Sequence, residues 1–185
     1  MADELIDELD TGGNVIGTIM KSEAHATGAL HREIHAYLVN SNNELLIQQR
    51  TTNKDIYPGL WDISCGGHVA AGENAKTSVL REVKEELGIT VNESDIKYLF
   101  TILLKENCGR IANNMYIEVY MVKTDAKLVD IKVQKDEVSD VKYVTFDKFT
   151  ELQLSKDKSF IPRYAEHAVI IKHLMKALEL EKQSS

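Results

Sequence analysis

A chain of 185 residues with 43% hydrophobic and 28% charged residues suits one water-soluble domain with a substantial core, and excludes a low-complexity or fibrous chain. Asp and Glu number 29 against 22 Lys and Arg, and a net charge of −7 argues against a nucleic-acid backbone as the main partner. No apolar run approaches the roughly 20 residues of a membrane-spanning helix. The acidic start, residues 1–10, is unlike a secretion signal, and Cys65 and Cys108 form no Cys-x-x-Cys pair. A cytoplasmic protein with two free thiols and no membrane partner is expected.

In chain order, Glu4–Leu9 and Val15–Met20 flank Asp-Thr-Gly-Gly-Asn and predict a strand pair around a glycine turn. Ser22 is expected to cap a short helical turn through His25. Ile34–Val39 and Glu44–Gln49 predict strands separated by the turn residues Asn40–Asn43. Asn53–Gly59 reads as a loop, and Trp61–Ser64 as a short strand leading into Gly66-Gly67. The strongest helix signal starts at Asn74, a good cap, and stops at Gly88, with Val79, Leu80, Val83 and Leu87 as its buried stripe. Strands follow at Ile96–Leu104, Asn114–Lys123 and Val141–Phe146, with a short helix at Asp147–Leu152 between the last of them and the C-terminal region. A long amphipathic helix is expected from Pro162 to about Glu181. The fold class is α/β (α+β), a sandwich with a mixed β-sheet and not a βαβ repeat. Residues 1–30 are expected to form an N-terminal strand pair and helical turn packed on a domain of residues 31–185.

The chemistry concentrates between Gly67 and Ile89. Gly67 is followed after five residues by Glu73 and after seven more by Arg81-Glu82-Val83-Lys84-Glu85-Glu86-Leu87-Gly88-Ile89. Residues three and four apart share a helix face, so Glu82, Glu85 and Glu86 converge and repel one another. A hard divalent cation bound through oxygen reverses that cost, and Mg²⁺ (or Mn²⁺) suits a few carboxylates together with substrate phosphates. Arg81 can orient one carboxylate and offset the local negative charge. The plain alternative is a solvated acidic helix face.

The same stretch matches the Nudix box at every defined position, and the chain resembles the Nudix hydrolase superfamily. The resemblance implies an α/β/α sandwich carrying a diphosphate-cleaving enzyme. It implies Glu85 and Glu86 as metal ligands, Glu82 as a ligand or the base that activates water, and a ligand carbonyl from Gly66. Glu73 would brace Arg81. A further acid from a later loop often completes such sites, and Glu137 and Glu118 are the candidates, each equally readable as a surface carboxylate.

Outside the box, His31-Arg32, Gln48-Gln49-Arg50, Lys54-Asp55, Pro58-Gly59-Leu60-Trp61-Asp62 and Gly66-Gly67-His68-Val69 resemble the branch related to isopentenyl-diphosphate isomerase. That likeness spans about residues 5–149 and implies that Arg50 and Lys54 contact the substrate diphosphate; the alternative is two exposed surface cations. The isomerase uses a cysteine just before Gly-His and a later Glu-x-Glu. Here Gly66 stands at the cysteine position, Cys65 falls one residue early, and Asn113-Asn114-Met115 replaces the acidic pair. A one-residue slip in a strand turns a side chain to the opposite face.

The isomerase's metal-binding histidines would correspond best to His31 and His68, with His25 aligning less well. Without partner carboxylates that second site is expected to be degenerate, with His31 and His35 packed at a strand start and His68 lining the pocket. Cys65 is expected as a small buried residue, and Trp61 either as a stacking platform or as a core aromatic.

Three functions follow. The first is Mg²⁺-dependent cleavage of a phosphoanhydride in a small molecule such as a nucleoside diphosphate derivative. The second is isopentenyl-diphosphate isomerisation. The third is a non-catalytic ligand sensor, disfavoured by the intact box glutamates. A homodimer through the N-terminal strands or the C-terminal helix is also compatible with the pattern.

Overall fold

The computed structural model describes residues 3–54, 56–109, 111–155, 157–161 and 164–182, excepting the side chains of residues 108, 164–168 and 180–182. Strands β1 (Leu5–Leu9) and β2 (Val15–Met20) form an antiparallel hairpin. Its turn is held by the Asp10 carboxylate, which accepts from the backbone N–H of Gly12 and Asn14. Helix α1 spans Lys21–Thr27. Ser22 lies inside its first turn and is not its cap: Met20 occupies that position without a side-chain bond, and the Ser22 hydroxyl donates instead to Asp3 at 2.6 Å.

The main sheet has seven strands in the order β5-β4-β3-β8-β7, with β6 also paired to β3 and β9 to β4. They are β3 (His31–Val39), β4 (Glu44–Arg50), β5 (Trp61–Asp62), β6 (Cys65–His68), β7 (Ile96–Cys108), β8 (Ile111–Lys123) and β9 (Val138–Thr145). Only β3 and β8 run parallel, from His31↔Met115 to Val39↔Lys123. This long ladder draws the start of β3 back from the expected Ile34 to His31. Likewise β9 starts at Val138 and not Val141, because its first residue completes the ladder against Arg50. The expected single strand at Trp61–Ser64 is two strands: β5 pairs with β4, and Cys65-Gly66-Gly67-His68 pairs with β3. Glycine lowers strand propensity but keeps its backbone donor and acceptor, and the ladder uses those.

Helix α2 (Ala75–Leu87) has the predicted ends. The Asn74 side chain accepts from Lys76 N–H, and Gly88 closes the helix at φ +68° with its N–H on Lys84 O. Ala75, Val79, Val83 and Leu87 bury against Ile34, Ala36, Leu38 and Leu46 on one sheet face. Full burial of a Val or Leu side chain stabilises by roughly 1.5–3 kcal/mol. The opposite face, with Tyr37, Val39, Ile47, Ile117 and Val119, packs against α3 (Phe146–Leu154) and α4 (Tyr164–Lys182). Pro162, the expected start of α4, lies outside the described residues. Helices on both faces of a mixed sheet make the α/β/α sandwich. Among the described residues no helix is long and apolar enough to cross a membrane.

The N-terminal hairpin buttresses the segment before α2. Ile6 bridges Ala70, and Ala71 N–H donates to Leu5 O. The buried Asp7 carboxylate accepts from Gly72 N–H and pairs with Arg32 at 2.7 Å. The main sheet is not a uniform ladder. Strands β3 and β4 pair at Val39↔Leu45 alone and then diverge. In the gap the fully buried Ser64 hydroxyl accepts from Leu38 N–H at 2.8 Å and donates to Leu46 O. An unpaired buried backbone group costs about 1–3 kcal/mol. Ser64→Ala is therefore expected to destabilise the protein by about 2 kcal/mol or more in urea unfolding, whereas a water replacing the hydroxyl would leave the midpoint unchanged.

Candidate active site

Helix α2 presents Arg81, Glu82, Glu85 and Glu86 toward the β6 edge, and Arg81 organises them. Its Nη1 donates to Glu82 at 2.6 Å and to Glu85 at 3.4 Å, while Nη2 donates to Glu73 and to His68 O, each at 3.1 Å. One guanidinium thus ties three carboxylates and the end of β6 together, which uses its planar fork of donors in full. At Glu73 burial opposes ionisation, but the bonds from Arg81 and Ser78 outweigh it and hold the carboxyl below its usual range. Glu73 therefore has the bracing geometry expected of it.

The three box glutamates sit in different surroundings. The Glu85 side chain is 54% exposed on the rim, against 12% for Glu82. Burial raises the Glu82 carboxyl above its ordinary value, with the Arg81 charge opposing. A Cβ on Gly67 would collide with the Glu82 carboxyl group, so the box glycine leaves the space that Glu82 fills. Glu86 is buried, and burial, followed by the nearby Glu82 charge, pushes its carboxyl up to about 7. Its partners were not anticipated from sequence. The buried Gln48 amide of β4 donates to Glu86 Oε2 at 3.1 Å, and the buried Cys65 thiol of β6 faces the same carboxyl. Burial, then Glu86 and Glu82, holds that thiol well above its ordinary range, so it stays protonated. The available signal was Gln48 itself, a polar residue two positions from the core residue Leu46 on the face that α2 covers.

Lys54 forms an ion pair with Glu137, and its charge also acts on Glu86. The second Glu137 oxygen is buried and has no hydrogen-bond partner among the described residues. Glu118, the other candidate acid, accepts from Tyr120 on its own strand at 2.7 Å. Arg50 braces the following loop, donating from Nε to Ile56 O at 3.1 Å and lying 3.9 Å from Asp62. Trp61 packs beside the core on the α3/α4 face, and Lys142 Nζ lies 3.7 Å from its ring centroid. A ligand stacking on that face would have to displace Lys142.

The histidines do more than pack. His31 and His35 are buried as expected, but His25, His31 and His68 bring ligand nitrogens within 4.8 Å of one another. His25 Nε2 is 3.2 Å from His68 Nε2, and the His31 and His68 rings stack at 5.2 Å. His31 Nδ1 is 2.9 Å from Ala29 O, a bond in which only the ring can donate. A neutral His31 therefore carries its lone pair on Nε2, which is buried and without a partner among the described residues. Burial lowers the His68 and His25 rings below their ordinary range, with Lys21 next for His68 and His31 next for His25, and both are neutral at pH 7. The neutral His25 and His68 rings, together with His31 backed by a carbonyl at Nδ1, are a donor set suited to a transition-metal ion. His31 and His35 thus pack at the strand start as expected, and His31 also joins His25 and His68 in a three-histidine group.

At the isomerase cysteine position, a Cβ on Gly66 would sit 3.4 Å from the His35 ring, while Cys65 points into the α2-side core. The one-residue slip has the predicted consequence.

A carboxyl raised to about 7 keeps its proton in the folded protein through a range where the unfolded chain, at 4.5, has lost it. In EDTA, this group makes stability fall as pH rises from about 4.5 to 7 and level off above. Thermal unfolding between pH 5 and 8 should show that decline in the wild type and a shallower one in Glu86→Gln; equal slopes would contradict the assignment.

A family model for the NUDIX domain matches residues 29–164. The chain is 34% identical over 168 residues to Nudix hydrolase 3 of Arabidopsis thaliana, covering 88% of this chain and 22% of that protein, about a fifth of its length. It is 37% identical over 123 residues to isopentenyl-diphosphate Delta-isomerase 1 of Photorhabdus laumondii, covering 65% of this chain and 68% of the other. The solved structure of DR0079 from Deinococcus radiodurans shares the fold at a TM-score of 0.72 and 21% identity, over 91% of this chain and 98% of that one. With the box geometry in place and the domain matched over most of its length, the chain belongs to the Nudix hydrolase family.

Proposed function

We propose that this enzyme is a Mg²⁺-dependent hydrolase of a diphosphate linkage in a small molecule, such as a nucleoside diphosphate derivative, working in the cytoplasm. The observation that carries the reading is the grouping of the buried Glu86 and the partly buried Glu82 with the Lys54–Glu137 pair. Carboxylates to hold a divalent cation lie beside a cation able to hold phosphate. The donor set fits Mg²⁺ or Mn²⁺: Glu82, Glu85 and Glu86 offer hard oxygens, and the Gly66 carbonyl is the backbone ligand the resemblance implies. When bound, the metal supplies charge screening of the diphosphate and acidifies its water.

The chain's own residues do the rest. Arg81 orients Glu82 and Glu85 through its Nη1 hydrogen bonds. Lys54 exchanges its Glu137 partner for a substrate phosphate, and the freed Glu137 or Glu82 accepts the proton of the attacking water. Arg50 fixes the loop that carries Lys54, and is a further diphosphate contact on its exposed side. His68 lines the neighbouring wall, and Trp61 is a stacking platform for the substrate once Lys142 is displaced. A homodimer is compatible with the exposed Val15 and Ile16 of β2.

Isomerisation of an allylic diphosphate is the second reading, favoured by the three converging histidines and by the named isomerase relative. Against it, Gly66 offers no thiol and Asn113-Asn114 no carboxylate, so the proton donor and acceptor of that reaction are missing at those positions.

A panel of nucleotide and prenyl diphosphates tests both. Mg²⁺-dependent phosphate or nucleotide release is expected, falling at least roughly 100-fold in Glu85→Gln with the fold retained. Lys54→Met is expected to raise KM about tenfold, equivalent to 1.4 kcal/mol. Full activity in Glu85→Gln, or production of dimethylallyl diphosphate without hydrolysis, would overturn the hydrolase reading. For the histidines, Co²⁺ added to the purified chain should give a visible absorption band that His31→Ala abolishes; an unchanged band would place the ion elsewhere.

A further inference from the structure

The box glutamates receive their hydrogen bonds from two different kinds of donor. Glu82 and Glu85 are served by a cation, Arg81. Glu86 is served by neutral donors, the Gln48 amide Nε2 at 3.1 Å and the Cys65 thiol. We propose that Gln48 is a positioning residue for the α2 metal centre, which fixes the Glu86 carboxylate in one orientation without cancelling its charge. The proposal rests on the metal-binding reading above and names a residue outside the box for it.

Gln48 is anchored on both sides. Its backbone pairs with Asp62 of β5 and Val141 of β9, so its Cα is set by two strands. The residue is 4% exposed and shares a face with Leu46 in the apolar layer under α2. An amide in such a layer requires a partner, and the partner is a carboxylate 38 positions away. A lysine or arginine there would neutralise Glu86 and compete with a divalent ion for it. An apolar residue would remove the amide and leave the Cys65 thiol, a weak donor, to orient the carboxyl. A neutral donor avoids both outcomes, as expected of a group behind a metal ligand, whose loss typically costs 10–100-fold in affinity.

A purely architectural pair is the competing account, and it predicts a different measurement. Isothermal titration with Mg²⁺, which prefers oxygen donors over the neighbouring histidines, reads the carboxylate centre. The full-length wild type is expected to bind. Gln48→Met, close in length and shape, is expected to bind about tenfold or more weakly at unchanged far-UV circular dichroism. Gln48→Asn, which withdraws the amide by one methylene, should weaken binding in the same direction and serves if the methionine variant folds poorly. Lower melting temperatures with unchanged Mg²⁺ affinity in the folded variants would overturn the proposal. Absence of Mg²⁺ binding in the wild type would instead sink the underlying metal reading, so the two failures are separable.

Discussion

The Arg81 guanidinium is the interaction on which the site depends. Three carboxylates gathered around one helical turn repel one another, and in a partly buried setting that repulsion is weakly screened. Arg81 meets Glu73, Glu82 and Glu85 at once and reaches across to His68 O. The same group therefore joins the loop before α2, the helix itself and the edge of β6. The box arginine fixes the tertiary position of α2 as well as its local charge.

A division of labour follows. The exposed side of the cluster, at Glu85, is balanced by a cation and open to solvent. The inner side, at Glu86, is buried, hydrogen-bonded by neutral groups and reluctant to ionise. A divalent ion favours the ionised form of that inner carboxyl, so metal affinity and the proton held by Glu86 oppose each other. The neighbouring histidines, of which His25 and His68 are kept neutral by burial, form a second and softer group of nitrogens close by. Oxygen chemistry and nitrogen chemistry thus lie on the two sides of β6.

Helix α2 was legible in detail because its signals are local. Asn74 and Gly88 cap it, and the spacing of Val79, Val83 and Leu87 turns one face inward. What depended on pairing over distance was harder to read. The expected strand stopped at Ser64, before the glycine pair, and pairing with β3 makes Cys65–His68 a strand of its own. His25 and His68 are 43 positions apart and meet through α1 and β6. The Lys54–Glu137 pair spans 83 positions, and Gln48 finds Glu86 across a sheet-helix interface. Sequence also placed the three glutamates together without distinguishing the buried Glu86 from the exposed Glu85, because helical periodicity gives a face but not its depth.

The gap between β3 and β4 bears on how this centre is assembled. Beyond Val39↔Leu45 the two strands part, and Ser64 spans the opening. On one bank stand β6, Gly67 and Cys65; on the other stand β4, Gln48 and the loop bearing Lys54. Glu86 touches both banks, so the carboxylate cluster is a joint and not an appendage of one rigid plate. Its dimensions are the sum of two independently anchored placements, with a single buried hydroxyl as the rivet nearest to it.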